Sequence, residues 1–202
     1  MPRCLIIACG ALAREIVALR KLNGWPHMDV QCLPAELHNR PEKIPAAVKA
    51  KIQANRSDYS SIFVAYGDCG TGGLLDAVLQ EEQVERIPGA HCYEFFAGSE
   101  AFDALSEKEL GTFYLTDFLL EHFERLVVRG LGLDRHPSLL VTLFGNYRKL
   151  VYLAQVPDAE RLKAARAAAE RLGLTFDYLV TGYGGLERSL KVVNQGVVVW
   201  RS

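Results

Sequence analysis

The sequence lacks an excess of charge of either sign, and we expect neither a membrane span nor a secretion signal in it. No apolar stretch free of polar residues is long enough to cross a bilayer, and Met1-Pro2-Arg3-Cys4 leads directly into a predicted strand. The net charge is -1 and the pI is near 6.5, so no overall basic field is present to hold nucleic acid or an anionic membrane. We therefore expect a cytoplasmic protein, with neither nucleic acid nor a membrane as its partner.

Cysteine is scarce and odd in number, with five residues in the chain. In a reducing compartment thiols stay free, which argues against a disulfide framework. Metal binding or thiol chemistry is then the alternative to a disulfide role for cysteines that lie in loops. The sequence also lacks a Gly-Lys-Ser/Thr motif and the glycine spacing of a dinucleotide fingerprint, which disfavours a nucleotide site.

Strands and helices alternate along the first half of the chain. Apolar runs at 5–8, 28–33 and 62–66 have the composition of buried strands, and apolar residues at helical spacing follow each of them. This alternation predicts an α/β fold, with a mainly parallel sheet and helices on both faces. We expect one α/β domain over 1–202. As an alternative, this domain could consist of two similar α/β halves, 1–98 and 133–202, joined by a helical insert around 99–132.

The pattern changes between residues 99 and 132, where a short helix and then a long helix over 113–128 are predicted, the second apolar on most sides. Asp117 lies within it, and we expect it to pair with an arginine or to cap a helix. Farther along the chain, the segment 139–144 could form a helix or a strand, and we favour the helix. The run 197–200 resembles an edge strand, which could pair with a second chain in a homodimer.

Cys69 lies where a predicted strand ends and a glycine-rich turn opens the next helix. Open α/β sheets bind their ligands at that position. Cys9 ends the first strand in the same way, and Cys92 lies in a later loop beside His91. Parallel strands would bring these loops to one edge of the sheet. Cys4 and Cys32 lie within apolar strands, where a free cysteine is usually a small buried residue.

Thiolate and imidazole are the ligands that zinc prefers, and iron–sulfur clusters take thiolates. We therefore predict a metal site formed by Cys9, Cys69 and Cys92, with His38 or His91 at the fourth position. The spacing is non-local, so no local geometry guarantees that the three thiols converge. Zinc is the expected metal, with an iron–sulfur cluster or a corrinoid as alternatives.

Other polar residues near these loops suit catalysis or anion binding. His91 suits a base or a partner that orients a metal ligand, and Glu94 suits an acid, a base or an extra ligand. Exposed amides at a helix N-terminus attract anions. The residues of the glycine-rich turn that would bind a cofactor in this way are Gly67, Gly70, Thr71 and Gly72.

Six segments carry a resemblance that covers nearly the whole chain. They are Ala8-Cys9-Gly10-Ala11-Leu12, Leu37-His38-Asn39-Arg40-Pro41, Tyr66-Gly67-Asp68-Cys69-Gly70, His91-Cys92-Tyr93, Thr112-Phe113-Tyr114-Leu115-Thr116-Asp117-Phe118 and Thr181-Gly182-Tyr183. On these segments the sequence resembles an uncharacterised prokaryotic family, domain of unknown function 1638. The resemblance implies a context, because genes of this family often occur near those of corrinoid-dependent methyltransferases. It implies no catalytic residues.

Three functional hypotheses follow. The first is a metal-dependent enzyme or cofactor-handling protein, which acts in methyl transfer to or from a thiol or corrinoid. The second is a metal-free enzyme in which Cys69 is the nucleophile and His91 its base. The third is a binding or accessory protein for a methyltransferase component. The partner is accordingly a small-molecule substrate or a corrinoid methyltransferase component.

Overall fold

The structure is a computed structural model that describes residues 3–196. The chain divides into two compact units. The first comprises residues up to Phe95 and those from Gly185 onward, and the second is Phe96–Gly184. Each unit contains a parallel sheet with helices between its strands, which confirms the predicted α/β class.

The sheet of the first unit has four parallel strands in the order β2-β1-β3-β4. Its strands are β1 (Cys4–Cys9), β2 (Met28–Leu33), β3 (Ser61–Ala65) and β4 (Glu85–Arg86). The helices that connect them are α1 (Ala13–Leu22), α2 (Ile44–Asn55) and α3 (Leu74–Glu81). One 3-10 segment, Gly10–Leu12, precedes α1, and two, Ala35–Asn39 and Pro41–Lys43, precede α2.

The strand order creates a switch point between β1 and β3. Every residue of β1 is buried, as expected for a central strand covered on both faces. The chain leaves β1 toward β2 and then returns past β1 to β3. Because such crossovers are right-handed, α1 covers one face of the sheet, while α2 and α3 cover the other. The carboxyl ends of β1 and β3 therefore border the crevice in which open α/β sheets bind ligands.

The second unit has a smaller parallel sheet in the order β5-β6-β7. Its strands are β5 (Thr112–Thr116), β6 (Lys149–Ala154) and β7 (Thr175–Val180). Helix α4 (Glu94–Ala97) contains the boundary at which the second unit begins. The helices that follow in the second unit are α5 (Ser99–Lys108), α6 (Asp117–Glu121), α7 (Leu139–Phe144) and α8 (Ala159–Leu172). Helix α9 (Gly184–Asn194) begins at the last residue of the second unit and otherwise belongs to the first.

The predicted long helix over 113–128 is wrong in its first part. Its first residues belong to strand β5, and α6 begins only at Asp117 and ends at Glu121, before a π-helical segment over Glu124–Arg129. The run Thr112–Thr116 is β-branched and aromatic, which suits a strand. A buried parallel strand is apolar on both faces, so its sequence has no alternation that distinguishes it from a buried helix. The predicted helical insert around 99–132 therefore contains a strand.

The helix favoured over 139–144 is confirmed as α7. The Asp158 side chain caps α8 by accepting a hydrogen bond from the Arg161 amide at 2.7 Å. Gly173 ends α8 with a φ of 71°. Helix α9 was not predicted, and the predicted edge strand at 197–200 lies outside the described residues. Within residues 3–196, every helix is too short or too polar to cross a membrane.

Asp117 anchors the carboxyl end of the second sheet. Its buried carboxylate accepts hydrogen bonds from the Tyr152 hydroxyl at 2.7 Å and from the amides of Gln155 and Val156 at 3.2 and 3.0 Å. Arg161 Nη1 lies 3.1 Å from Asp117 Oδ2 and supplies the counter-charge. The expected pairing of Asp117 with an arginine is confirmed, and the group ties β5 to β6 and α8.

Candidate functional site: thiols at the switch point

Cys9 and Cys69 lie on the two sides of the switch point in the first unit. Cys9 is the last residue of β1, and Cys69 follows β3 after Tyr66, Gly67 and Asp68. Parallel pairing of β1 with β3, which aligns Ala8 with Ala65, brings these two chain segments to the same edge of the sheet. The local sequence folds this way because each apolar strand is followed by a glycine-containing turn, with Cys9 at the end of β1 and Cys69 inside the turn after β3.

Asp68 organises the glycine-rich turn. Its carboxylate accepts hydrogen bonds from Thr71 Oγ1 at 2.6 Å, from the Gly73 amide at 2.9 Å and from the Gly72 amide at 3.1 Å. Burial raises the pKa of Asp68, but these donors outweigh burial and lower it overall. The charged Asp68 carboxylate thus already accepts the hydrogen bonds of two amides and a hydroxyl that an anionic cofactor would need as donors.

The predicted cofactor-binding residues of this turn share one loop but not one role. Thr71 is buried and bonded to Asp68, and the Gly72 amide is bonded to the same carboxylate. Gly70 faces the ring of Pro41, which a Cβ on Gly70 would approach to 3.6 Å. Gly67 is buried against the backbone of His91, where a Cβ would lie 2.9 Å from the carbonyl carbon.

The Cys69 loop is attached to the loop that carries His91 and Cys92. The Asp68 amide donates to the Gly89 carbonyl at 3.1 Å, and the Cys69 amide donates to the Ala90 carbonyl at 2.7 Å. These two bonds join the loop that follows β3 to the loop that follows β4. The backbone of Cys69 has a φ of 50°, in the left-handed region that residues with a Cβ rarely adopt. Such strain persists only where surrounding bonds enforce it, and it is concentrated at functional sites.

This attachment places the sulfur of Cys69 against that of Cys92. The two Sγ atoms are 3.1 Å apart, which is a hydrogen bond between a thiol and a sulfur acceptor. Both side chains are buried, at 5% and 8% exposure. The hydrogen bond from Cys92 lowers the pKa of Cys69, while the same bond, with burial, raises the pKa of Cys92 well above its usual value. When Cys69 ionises, Cys92 therefore keeps its proton and donates it toward Cys69.

Cys9 is the third buried thiol of this edge. Burial, with a smaller contribution from the nearby Cys69, raises the pKa of Cys9 to about 11. Tyr66 lies beside all three thiols: burial raises its pKa far above the usual range, with added contributions from Cys9, Cys92 and Cys69. Its hydroxyl is buried and, within residues 3–196, accepts or donates no hydrogen bond of good geometry. A buried hydroxyl in that state costs about 1 to 3 kcal/mol.

Arg86, the last residue of β4, braces the loop that carries Cys92. Its guanidinium is buried, at 7% exposure, and binds the Asp76 carboxylate with Nε 2.6 Å from Oδ1 and Nη2 3.0 Å from Oδ2. Nη1 donates to the carbonyls of Ile87 and Gly89 at 2.8 and 3.1 Å. The nearby positive charge also favours the ionised forms of Cys69 and Asp68.

The predicted histidine ligands lie close to one another. Desolvation by surrounding protein atoms lowers the pKa of His38, although part of its surface is exposed, and His91 lowers it further. Burial lowers the pKa of His91 as well, against smaller opposing effects of Glu94 and Asp68. The His91 ring stacks on Tyr93 with centroids 4.8 Å apart. Both imidazoles therefore favour the neutral form, which is the form that binds metals.

Glu94, predicted as catalytic, supports the loop. Its Oε2 accepts a hydrogen bond from the Ala90 amide at 2.9 Å, and a Cβ on Gly89 would meet the same carboxylate at 3.0 Å. The Ala90 carbonyl is the acceptor of the Cys69 amide. Glu94 thus holds the backbone on which Cys69 depends.

Of the two cysteines expected to be small buried residues, only Cys4 is buried, and the prediction is wrong for Cys32. Cys32 lies on β2, the edge strand of the sheet, and is exposed because no neighbouring strand covers it. Cys4 begins β1, at the end opposite Cys9. An open groove borders Cys4, Ser61 and Glu85 at that opposite end of the strands, so it is separate from the three thiols.

The thiol edge is not arranged as a finished metal site. Among residues 3–196, no three His, Cys, Asp or Glu side chains stand in an arrangement that could hold a metal ion.

The sequence alone did not indicate two residues of this edge. Tyr66 was assigned only to its strand and Arg86 was overlooked. A tyrosine directly before the glycine-rich turn and an arginine directly before Ile87-Pro88-Gly89 were the available signals.

The fold and the site define an α/β protein with buried thiols at the switch point of a parallel sheet. The family model described as "Protein of unknown function (DUF1638)" matches residues 32–190, well over half of the chain. The chain belongs to that family. Comparison with curated proteins and with solved structures gave no match.

Proposed function

We propose that the protein binds a soft metal ion, zinc in the first place, through Cys9, Cys69 and Cys92. The observation that carries the proposal is the 3.1 Å contact between the sulfurs of Cys69 and Cys92, with Cys9 buried at the adjoining strand end. Unrelated buried thiols have no reason to meet at the switch point of an α/β sheet. The proposed location is the cytoplasm, where such thiols stay reduced.

The two sulfurs need only a small movement to accept zinc. A tetrahedral site with Zn–S distances of about 2.3 Å separates two sulfurs by about 3.8 Å, so the pair would open by about 0.7 Å. Metal binding would replace the protons of Cys9 and Cys92, whose pKa values are raised. Affinity should therefore fall steeply as the pH is lowered. An iron–sulfur cluster uses the same ligands and is distinguished by colour.

The fourth position belongs to His38 or His91, or to an exogenous ligand. Both imidazoles favour the neutral form that a metal requires, and the Cys69 loop adjoins the loop of each. The buried Tyr66 hydroxyl, which lies beside all three thiols, would donate a hydrogen bond to a ligand at this position. A site with three thiolates and an exchangeable fourth ligand suits the activation of a thiol or water, and methyl transfer to or from a thiol or corrinoid is the reaction that we propose to test first. His91 would then act as base, with Glu94 holding its loop.

The test is metal analysis of protein purified without a chelator. We expect about one equivalent of metal in the wild type and a loss of most of it in Cys9→Ser, Cys69→Ser and Cys92→Ser. The matched controls are Cys4→Ser, which removes a buried thiol from the opposite end of the same strand, and Cys32→Ser, which removes the exposed one. Metal-free wild-type protein, or equal loss in the controls, would contradict the proposal. An absorption spectrum distinguishes colourless zinc from iron–sulfur and corrinoid forms.

The hydrogen bond between Cys92 and Cys69 favours a second candidate, a metal-free thiol enzyme in which Cys69 is the nucleophile. The sequence pattern suggested His91 as the base of this nucleophile. The hydrogen bond that Cys69 receives comes from Cys92, so His91 would act on the substrate instead. Reaction of demetallated protein with a limiting alkylating reagent separates the candidates. Modification confined to Cys69 supports the nucleophile, whereas protection of Cys9, Cys69 and Cys92 together by added zinc supports the metal site.

A further inference from the structure

Two buried sulfurs in contact permit a reaction that metal binding does not require. Cys69 Sγ and Cys92 Sγ are 3.1 Å apart, whereas a disulfide bond is about 2.05 Å long, so a closure of about 1 Å would join them. Two of the other three cysteines lie apart from this pair. Cys4 lies at the far end of β1, and Cys32 lies exposed on the edge strand β2.

The backbone holds the two loops in the position that such a closure needs. The Cys69 amide is bonded to the Ala90 carbonyl at 2.7 Å, and Ala90 is two residues before Cys92. The Asp68 amide and Arg86 Nη1 both bond the Gly89 carbonyl, at 3.1 Å each. The loops are thus fixed to each other next to the sulfur pair, which raises the effective concentration of one sulfur at the other.

We infer that Cys69 and Cys92 form a redox-active dithiol, which a hydroperoxide converts into an intramolecular disulfide. One sulfur of the pair attacks the peroxide O–O bond and becomes a sulfenic acid, and the leaving oxygen departs as hydroxide or alcohol. The second sulfur attacks the sulfenic sulfur, the disulfide bond forms and water leaves. Two electrons pass from the two sulfurs to the peroxide, and a dithiol reductant reverses the change.

Oxidation would also remove two of the three proposed metal ligands. A disulfide sulfur has no thiolate charge, so the Cys69–Cys92 bond and a thiolate-bound metal exclude each other. Only this consequence, the release of metal on oxidation, rests on the proposed function. The dithiol chemistry itself does not.

The experiment treats folded, demetallated protein with one equivalent of hydrogen peroxide. We expect intact mass to fall by two hydrogen atoms, free thiols in denaturant to fall by two of the five, and peptide mapping to find one Cys69–Cys92 link. Dithiothreitol should restore both thiols. Cys92→Ser and Cys69→Ser should each instead accumulate a sulfenic acid that dimedone traps. The double variant Cys4→Ser/Cys32→Ser should oxidise as the wild type does.

The outcomes separate this inference from the proposed function. A link to Cys4, Cys9 or Cys32 in place of Cys92, or no link while the circular dichroism shows folded protein, overturns the dithiol. If wild-type protein never contains metal but forms the Cys69–Cys92 link, the proposed function fails and the dithiol stands. If metal-loaded protein releases one equivalent of metal per link, both are supported.

Discussion

Arg86 and Asp76 form a two-point ion pair in the first unit, with Arg86 Nε 2.6 Å from Asp76 Oδ1 and Nη2 3.0 Å from Oδ2. The pair connects β4 to α3, and the remaining nitrogen of the guanidinium binds the Gly89 carbonyl at the base of the Cys92 loop. The contact between Cys69 and Cys92 thus depends on an arginine that touches neither sulfur.

Removal of this arginine should weaken both the fold and the sulfur contact. We expect Arg86→Met to lower the free energy of unfolding by about 2 to 3 kcal/mol, because Asp76 and two carbonyls lose their donor. Asp76 is partly exposed, so water limits the loss. Denaturant unfolding measures the change. The control is Lys49→Met, which breaks the exposed Lys49–Glu81 pair and should cost less than about 1 kcal/mol. Equal losses would show that Arg86 is not a brace.

The left-handed backbone of Cys69 predicts an unusual order of stability. Cys69→Gly should be more stable than Cys69→Ala by about 1 kcal/mol, because glycine adopts a φ of 50° without the Cβ penalty. Thermal unfolding of the two variants gives the difference. At Cys4, in the regular strand β1, the order should reverse, with Cys4→Ala the more stable. An alanine variant as stable as the glycine variant at position 69 would show that the strain is absent.

Gly67 should control the sulfur contact without contributing a thiol. A Cβ at this position would lie 2.9 Å from the His91 carbonyl carbon, so Gly67→Ala must displace the loop that ends at Cys92. We expect the yield of the Cys69–Cys92 link and the metal content to fall several-fold, with a loss of about 1 to 3 kcal/mol in the free energy of unfolding.

The matched control for Gly67 is Gly24→Ala. Gly24 has a φ of 65° and open space around it, so alanine there adds backbone strain but displaces no loop. It should lower the free energy of unfolding and leave the link and the metal content unchanged. If both glycine variants lost the link equally, general destabilisation would explain the loss.

The thiols should ionise at separate pH values in demetallated protein. Because the hydrogen bond from Cys92 lowers the pKa of Cys69, its thiolate should form below the usual pH of a thiol, whereas Cys9 should ionise only near pH 11. Ultraviolet thiolate absorbance against pH measures both steps. Cys92→Ala should move the first step to higher pH, and Cys92→Ser, which keeps a donor, should move it less. A first step that Cys92→Ala leaves in place would contradict the assigned hydrogen bond.

Asp117 should be a structural residue of the second unit. Asp117→Asn places an amide group among donors from Tyr152, Val156 and Arg161, and we expect a loss of about 2 to 3 kcal/mol in the free energy of unfolding. The control is the exposed Asp177, whose Oδ2 lies 3.7 Å from Lys149 Nζ. Asp177→Asn should lower the free energy of unfolding by less than about 1 kcal/mol. Comparable costs would mean that the buried network contributes little.

Much of the first unit could be predicted from its sequence. The apolar strands around Cys9 and Cys69 have the composition of buried parallel strands, and the glycine-rich turn after β3 is a local signal. The 112–116 segment could not be assigned in the same way, since a strand buried on both faces and a buried helix are equally apolar. Exposure of Cys32 depends on β2 being an edge strand, which no local pattern indicates.

The sequence by itself determined the α/β class, the alternation of elements and the placement of Cys9 and Cys69 at strand ends, because these follow from local composition and from the periods of strands and helices. The tertiary structure decided which thiols meet. Strand order places β1 beside β3, two backbone bonds and Arg86 bring Cys92 to Cys69, and Tyr66 comes to lie beside them. These contacts join residues far apart in the chain, and only the pairing of strands and the packing of loops fixes distances of that kind.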